Sequence, residues 1–178
     1  MTPGTGESGR SSLRANELEF IRSSALPFVI LESLASNLIA EFGRLYPTWN
    51  LADAIDELTQ DAGQGLPLHI AAIEKRRALG SASVISDDEV TGWKGSGWWL
   101  ANVFVVHEYR GRGIGSSLIN RAIAIARESG ARDLHLVTDT EEDWYLKQGW
   151  ERIGLGDVHG NEMVVMHLKL PMTKRAVR

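Results

Sequence analysis

Three glycines and two arginines stand together at Arg110-Gly111-Arg112-Gly113-Ile114-Gly115. They follow an apolar run, Trp98 to Val106, that ends in Val103, Phe104, Val105 and Val106. Branched and aromatic side chains of this kind favour strand. They precede the segment Ser116 to Glu128, where Leu118, Ala122, Ile125 and Ala126 recur at helical spacing, with Ile114 one turn earlier. A glycine turn between strand and helix leaves main-chain N–H groups unpaired at the positive end of a helix dipole. That arrangement binds anions, phosphate above all. Without Cβ atoms, Gly111, Gly113 and Gly115 let phosphate oxygens reach the main chain, and Arg110 and Arg112 add charge-assisted donors. Two nucleotide patterns are excluded. No Gly-Lys-Ser or Gly-Lys-Thr occurs, so there is no P-loop. The dinucleotide fingerprint GxGxxG would need glycine at Ser116 or Leu118.

A second group lies one expected strand downstream, at Trp144-Tyr145-Leu146-Lys147-Gln148-Gly149-Trp150. Arg-x-x-Gly-x-Gly after a strand, followed by aromatic-Tyr-x-x-x-Gly-aromatic, resembles the GNAT superfamily of acyl-CoA-dependent N-acyltransferases. The resemblance covers about Leu66 to Leu170. It implies acetyl-CoA as cofactor, with its pyrophosphate on the amides of Arg110, Gly111, Arg112, Gly113, Ile114, Gly115 and Ser116. The main chain of Val103, Phe104 and Val105 would bind pantetheine and the thioester, with an N–H near Val105 polarising the carbonyl. Thr138 and Lys147 complete the implied cofactor set. Tyr145 is the implied group beside the departing sulfur. A phenol titrates at about 10 and a thiol at about 8.5, so a hydrogen bond to developing thiolate carries much of the benefit. The chain departs from the family pattern at three places. His107 stands where proline is common, Thr138 where many members carry asparagine, and Glu141 where many carry alanine.

The amine must lose a proton before it attacks, and several residues compete for that role. Asp87 and Asp88 follow an expected strand; they read either as a proton drain and substrate contact, with Asp88 preferred, or as a solvated acidic turn with Glu89. His107 titrates in a useful range but occupies a surface turn. His135 reads as structural, and His69, His159 and His167 lack metal-ligand spacing. The acidic loop Asp139-Thr140-Glu141-Glu142-Asp143 is either a helix start that favours the dipole or a rim attractive to a cationic amine. Trp93, Trp98 and Trp99 supply either core anchors or a wall of the acceptor pocket, with Trp99 the preferred substrate contact.

The elements that must position these groups run β-α-α-β-β-β-α-β-α-β-β. Glu17 to Arg22 is the first strand. Pro27 to Phe42 and a segment capped by Thr48 or Asn50 through Leu58 are helices. Leu68 to Glu74 and Ala78 to Ser86 form a hairpin turning at Lys75-Arg76-Arg77. Asp133 to Thr138 is a strand, Glu141 to Gln148 a short helix, and strands follow near Trp150 to Gly154 and Met163 to Leu170. The fold class expected is mixed α/β: a single domain over 13–171, with a mostly antiparallel, partly parallel sheet flanked by helices. A mobile tail over 1–12 and a basic tail over 172–178 are expected at the ends.

At 178 residues and 43% hydrophobic content, the chain suits one well-cored domain. A net charge of −4 and a pI of about 5.7 argue against a nucleic-acid partner. Zero cysteines remove disulfide and thiol chemistry and fit a reducing, cytoplasmic setting. No apolar run is long enough for a membrane span. The function expected is acetyl transfer from acetyl-CoA to a small cationic primary amine by direct attack in a ternary complex, in a protein that forms a homodimer. Modification of protein or peptide amino groups, and a non-catalytic acyl-CoA sensor, are the alternatives.

Overall fold

The computed structural model describes residues 18–61, 66–86, 88–93 and 97–171. The two expected tails and Asp87 lie outside these residues. The elements are β1 (Glu19–Arg22), α1 (Phe28–Phe42), α2 (Leu51–Thr59), β2 (Leu68–Glu74), β3 (Arg77–Ile85), β4 (Trp99–Val105), α3 (Ile114–Glu128), β5 (Asp133–Thr138), α4 (Glu142–Lys147), β6 (Glu151–Val158) and β7 (Asn161–Lys169). The strands make one sheet in the order β1-β2-β3-β4-β5-β7-β6. Neighbours are antiparallel except β4 and β5, which α3 joins as a parallel pair. The mixed α/β fold read from the sequence is the one observed.

Period-two patterning divides the core between the two faces of the sheet. On one face Leu68, Ile70 and Ala72 of β2 meet Leu118, Ile119, Ala122 and Ala126 of α3. On the other, Ala71 and Ile73 meet Leu31, Leu34, Ala35 and Leu38, the buried stripe of α1, and Ala54 and Leu58 of α2. Helix α2 starts on a capping box: the Asn50 side chain accepts from the amides of Ala52 and Asp53, and Asp53 accepts from the Asn50 amide. Several boundaries differ from the sequence reading for local reasons. Helix α3 begins at Ile114, because Gly113 caps it in the left-handed conformation. The β2–β3 turn is only Lys75-Arg76, both at positive φ, and Arg77 already pairs with Glu74. Strand β6 runs on to Val158, paired with β7 on either side of a bulge at Ile153.

Strand β4 is irregular along both of its edges. Its register against β3 slips between Ser81 and Ser83, so Asn102 and Val103 together oppose Ala82. Asn102 takes φ +51°, the left-handed region that asparagine tolerates better than most residues. On its other side β4 meets β5 at one position, Trp99 with His135, where the His135 amide donates to the Trp98 carbonyl at 2.8 Å. Beyond that bridge the two strands part.

Replacing Asn50 with alanine removes the side-chain half of the α2 cap. A loss of about 1 kcal/mol is expected, seen as a melting point lower by about 2–4 °C. An unchanged unfolding transition would mean that packing alone holds α2.

Candidate active site

The glycine loop opens α3 on a left-handed turn. Gly111 and Gly113 sit at φ +75° and +78°, and a Cβ on either would meet open space. The first main-chain hydrogen bond of α3 runs from Ser117 N–H to the Gly113 carbonyl at 3.0 Å. The amides of Ile114, Gly115 and Ser116 therefore precede the helical ladder, and no side chain caps them. A Cβ on Gly115 would lie 3.6 Å from Trp144 and from Val105, so this glycine brings α3 close to α4 and β4. The two arginines have different roles from the one expected of both. Arg110 turns back: its Nε donates to the Val105 carbonyl at 2.9 Å, and its guanidinium pairs with Glu41 of α1 at 3.2 Å. It braces the end of β4 rather than standing free as a phosphate donor. Arg112 is exposed and stacks on the Tyr109 ring, 4.9 Å from its centroid.

A cleft of about 610 Å³ opens where β4 and β5 separate. Four successive β4 residues, Leu100 to Val103, line it. Thr138 and Tyr145 close the α4 side, and Tyr46, Trp49 and Glu57 come from the α1–α2 region. A larger hollow of about 660 Å³ lies between α1 and the Arg76–Arg77 turn, but it contains neither Tyr145 nor the bulged part of β4.

Tyr145 is 7% exposed, with its ring edge-on to Trp144 and Trp150 at 4.9 and 6.0 Å. Burial, and secondarily the Glu141 charge, push its phenol well above the ordinary range. It stays protonated, so the hydroxyl keeps a proton to donate. The Thr138 hydroxyl accepts from the Glu141 amide at 3.0 Å, which holds the turn into α4. The acidic loop divides between the two readings. Glu142 and Asp143 occupy the first turn of α4, whereas Asp139 and Glu141 line the cleft.

The lining of the cleft is acidic. Glu41, Asp53, Glu57, Asp88, Glu89, Asp139 and Glu141 line the cleft; Arg44 is the one Lys or Arg among the described lining residues, and it pairs with Asp139. The Tyr46 hydroxyl donates to Asp88 at 3.3 Å, and burial followed by the Asp88 charge raises its pKa far above the usual phenol range. His159 lies 2.9 Å from Glu89.

Glu57 was not anticipated from the sequence, nor was Asn102. The Asn102 amide donates to the Glu57 carboxylate at 2.8 Å and to Ser83 Oγ at 3.3 Å. Ser83 Oγ is in turn 2.8 Å from His69 Nδ1. Burial holds Glu57 above the usual carboxylate range, against the opposing effect of hydrogen bonds from Asn102 and Trp49. Burial pushes the His69 imidazole down to about 4, so it is neutral near pH 7. A strand polar residue out of step with its neighbours, and a glutamate three positions after buried Ala54 on α2, were the available signals.

The tryptophans change places. Trp99 is 1% exposed, packed with Val90, Val158, Met163 and Val165, and lines no part of the cleft. Its position on β4 sends the side chain under the sheet into the core. Trp93 donates to the Leu155 carbonyl at 3.1 Å across β6, and Trp98 packs against the α3-side core. The tryptophan in the cleft is Trp49. Lys147 is exposed at the end of α4 and lines neither hollow. His107 is exposed, while His135 stacks among Trp93, Trp99 and His167 in a structural cluster.

Comparison with known proteins agrees with this geometry. The profile of the Acetyltransferase (GNAT) family matches residues 31–150. A 44-residue segment is 41% identical to thialysine N-epsilon-acetyltransferase of Bos taurus, covering 25% of this chain and 26% of that protein's length. Among solved structures, the paia N-acetyltransferase of Thermoplasma acidophilum in complex with coenzyme A superposes with a TM-score of 0.65 at 15% identity, over 86% of this chain and 99% of that one. The yncA protein of Salmonella typhimurium, solved with acetyl-CoA, gives 0.65 at 14% identity, over 91% and 98%. No helix among the described residues is long and apolar enough to cross a membrane. The chain belongs to the GNAT acetyltransferase family and is an acyltransferase.

Proposed function

We propose that the enzyme moves an acetyl group from acetyl-CoA to the primary amine of a small cationic molecule, both substrates being bound together. The observation that carries the acceptor class is the charge of the cleft: seven lining carboxylates against an arginine already paired with one of them. A carboxylate substrate would be repelled there, and an ammonium ion is drawn in. The name of the bovine relative, a lysine-like amine acetyltransferase, points the same way over the short segment matched.

Acetyl-CoA is the acyl donor in this reading, supplying an activated carbonyl and a thiolate leaving group. The residues present fit its parts. Open space over Gly111 and Gly113, with the free first-turn amides of α3, suits a diphosphate. The edge of β4 that β5 abandons, Val103 to Val105, offers main-chain groups to an extended chain bearing amides. Tyr145 hydrogen-bonds the sulfur as its negative charge grows, because its buried hydroxyl keeps its proton. Asp88, ordered by Tyr46, attracts the ammonium group from the far wall.

Purified protein with acetyl-CoA, screened against amines and peptides by thiol release, tests the reading. Turnover of small di- and polyamines is expected; turnover of peptides alone would overturn the acceptor class, and thiol release with no amine at all would overturn the transferase reading. Tyr145→Phe is expected to lower kcat by about 10²-fold with coenzyme A affinity unchanged, and full activity would remove the role given to its hydroxyl. Gly113→Ala forces a side chain to φ +78° and is expected to weaken coenzyme A binding about tenfold. Gly115→Ala, with 3.6 Å of clearance, is expected to bind normally by calorimetry; equal losses at both positions would contradict the cradle as drawn.

A further inference from the structure

Glu57 of α2 is neither part of the glycine cradle nor of the tyrosine motif, yet it lines the same cleft as Tyr145 and Val103. Its carboxylate is half-buried and accepts from two neutral donors, the Asn102 amide and the Trp49 indole. Among the described residues it has no ion-pair partner. Removing a carboxylate from water without a counter-ion is costly, so such a site is left waiting for a cation.

The backbone is bent to create this contact. Leu100 faces the α3-side core, and in a regular strand Asn102, two residues on, would face the same way. The left-handed bulge at Asn102 instead swings its side chain to the opposite face, where α2 lies. The residue that orients Glu57 therefore adjoins Val103, where the thioester is proposed to lie.

We infer that Glu57 is the group that takes the proton from the substrate ammonium, and that Asn102 is the positioning residue that aims it. The inference rests on the cationic-amine reading above. In the reaction the ammonium N–H bond breaks and its proton passes to the Glu57 carboxylate, leaving a neutral amine. The nitrogen lone pair then forms the N–C bond to the acetyl carbon, and the C–S bond breaks with its electrons on sulfur. The nitrogen's second proton passes to the departing sulfur, whose charge the Tyr145 hydroxyl stabilises by a hydrogen bond while keeping its own proton. Glu57 finally releases its proton to solvent through the open cleft.

Other titratable groups face Glu57 across the cleft and none supplies the missing charge. From the α1–α2 segment and α2 come Tyr46 and Asp53, from the β3–β4 connection Asp88 and Glu89, and from the β5–α4 turn Asp139 and Glu141. None of these carries a positive charge; Glu41 of α1 pairs with Arg110, and the His159 ring on the β6–β7 turn is held by Glu89 at 2.9 Å. His69 on β2 is neutral, and Arg44 is engaged by Asp139. Burial is the effect that raises Glu57, so the acid limb of kcat/KM is expected above the usual carboxylate range.

The test is the kcat/KM pH profile of wild type, Glu57→Gln, Asn102→Gly and Asp88→Asn with the amine found by thiol release. Glu57→Gln is expected to lower kcat/KM about 10²-fold and to abolish the acid limb, with acetyl-CoA affinity unchanged. Asn102→Gly keeps the left-handed backbone but removes the donor that lowers the Glu57 pKa, so the limb is expected to move to higher pH. Asp88→Asn is expected to raise KM and leave the limb in place. A Glu57→Gln enzyme within twofold of wild type, showing the same limb, overturns the assignment alone. A wild type that acetylates no cationic amine overturns both the assignment and the acceptor class. Stability gives a readout independent of turnover. A carboxylate whose folded pKa is raised stabilises the fold below its unfolded value and loses that contribution as pH rises through the folded one. Glu57→Gln is therefore expected to gain in melting point over wild type as pH rises from 4.5, the ordinary value for this carboxyl, and a difference flat in pH overturns the assignment.

Discussion

The structure depends on a sheet that is allowed to split. Strand β4 is held on one side by β3 along most of its length and on the other by a single bridge to β5. Strand β5 cannot follow it, because all six of its residues pair with β7. Main-chain groups stranded in the middle of a sheet are costly unless something else pairs with them. Here the gap is flanked by α3 and α4, kept together by the contact of Gly115 with Trp144. The result is a slot with polar walls and apolar flanks, and the cradle at its end is set by the same strand. Cofactor binding on this reading is thus a property of the sheet topology as much as of any side chain.

Charge differs between the glycine cradle and the cleft. The cradle presents amides, a helix N-terminus and Arg112; the acceptor cleft presents carboxylates. Glu41 sits between them, lining the cleft and pairing with Arg110, which in turn grips the last carbonyl of β4. That exposed pair contributes little to stability by itself. Its role is geometric, since it ties α1 to the strand end from which the cradle springs. Glu57 is the opposite case. A half-buried carboxylate with only neutral donors weakens the fold at neutral pH, and such local cost is tolerated where function needs it.

How much of this was legible in the sequence depends on how locally each part is encoded. The loop Arg110 to Ser116 and the motif Trp144 to Trp150 are contiguous, and both fall where strand-to-helix order puts them. The element order and most boundaries came from apolar periodicity, which the core uses on both sheet faces. Side-chain direction was less accessible. Arg110 looked like a phosphate donor but satisfies the Val105 carbonyl, a partner that exists only once the loop has folded. Trp99 looked like a pocket wall because it borders the slot in sequence, but its place in the register sends it into the core. Trp49, far along the chain from either cofactor motif, reaches the cleft through the α1–α2 turn.

The acceptor wall resists sequence reading for a deeper reason. Tyr46, Glu57, Asp88 and Glu141 come from four separate segments, and no spacing rule relates them. Tyr46 is tied to Asp88 by its hydroxyl, and Glu57 is fixed by the bulge at Asn102, which costs a strained backbone and yields a hydrogen bond at 2.8 Å. Asparagine is the residue that serves both needs, accepting a left-handed φ while keeping an amide to give. Glycine would supply the turn without the donor, and aspartate would set a second negative charge against Glu57. The chemistry of the acceptor side and the curvature of the central strand are therefore solved at a single position, and a change in either is felt by both.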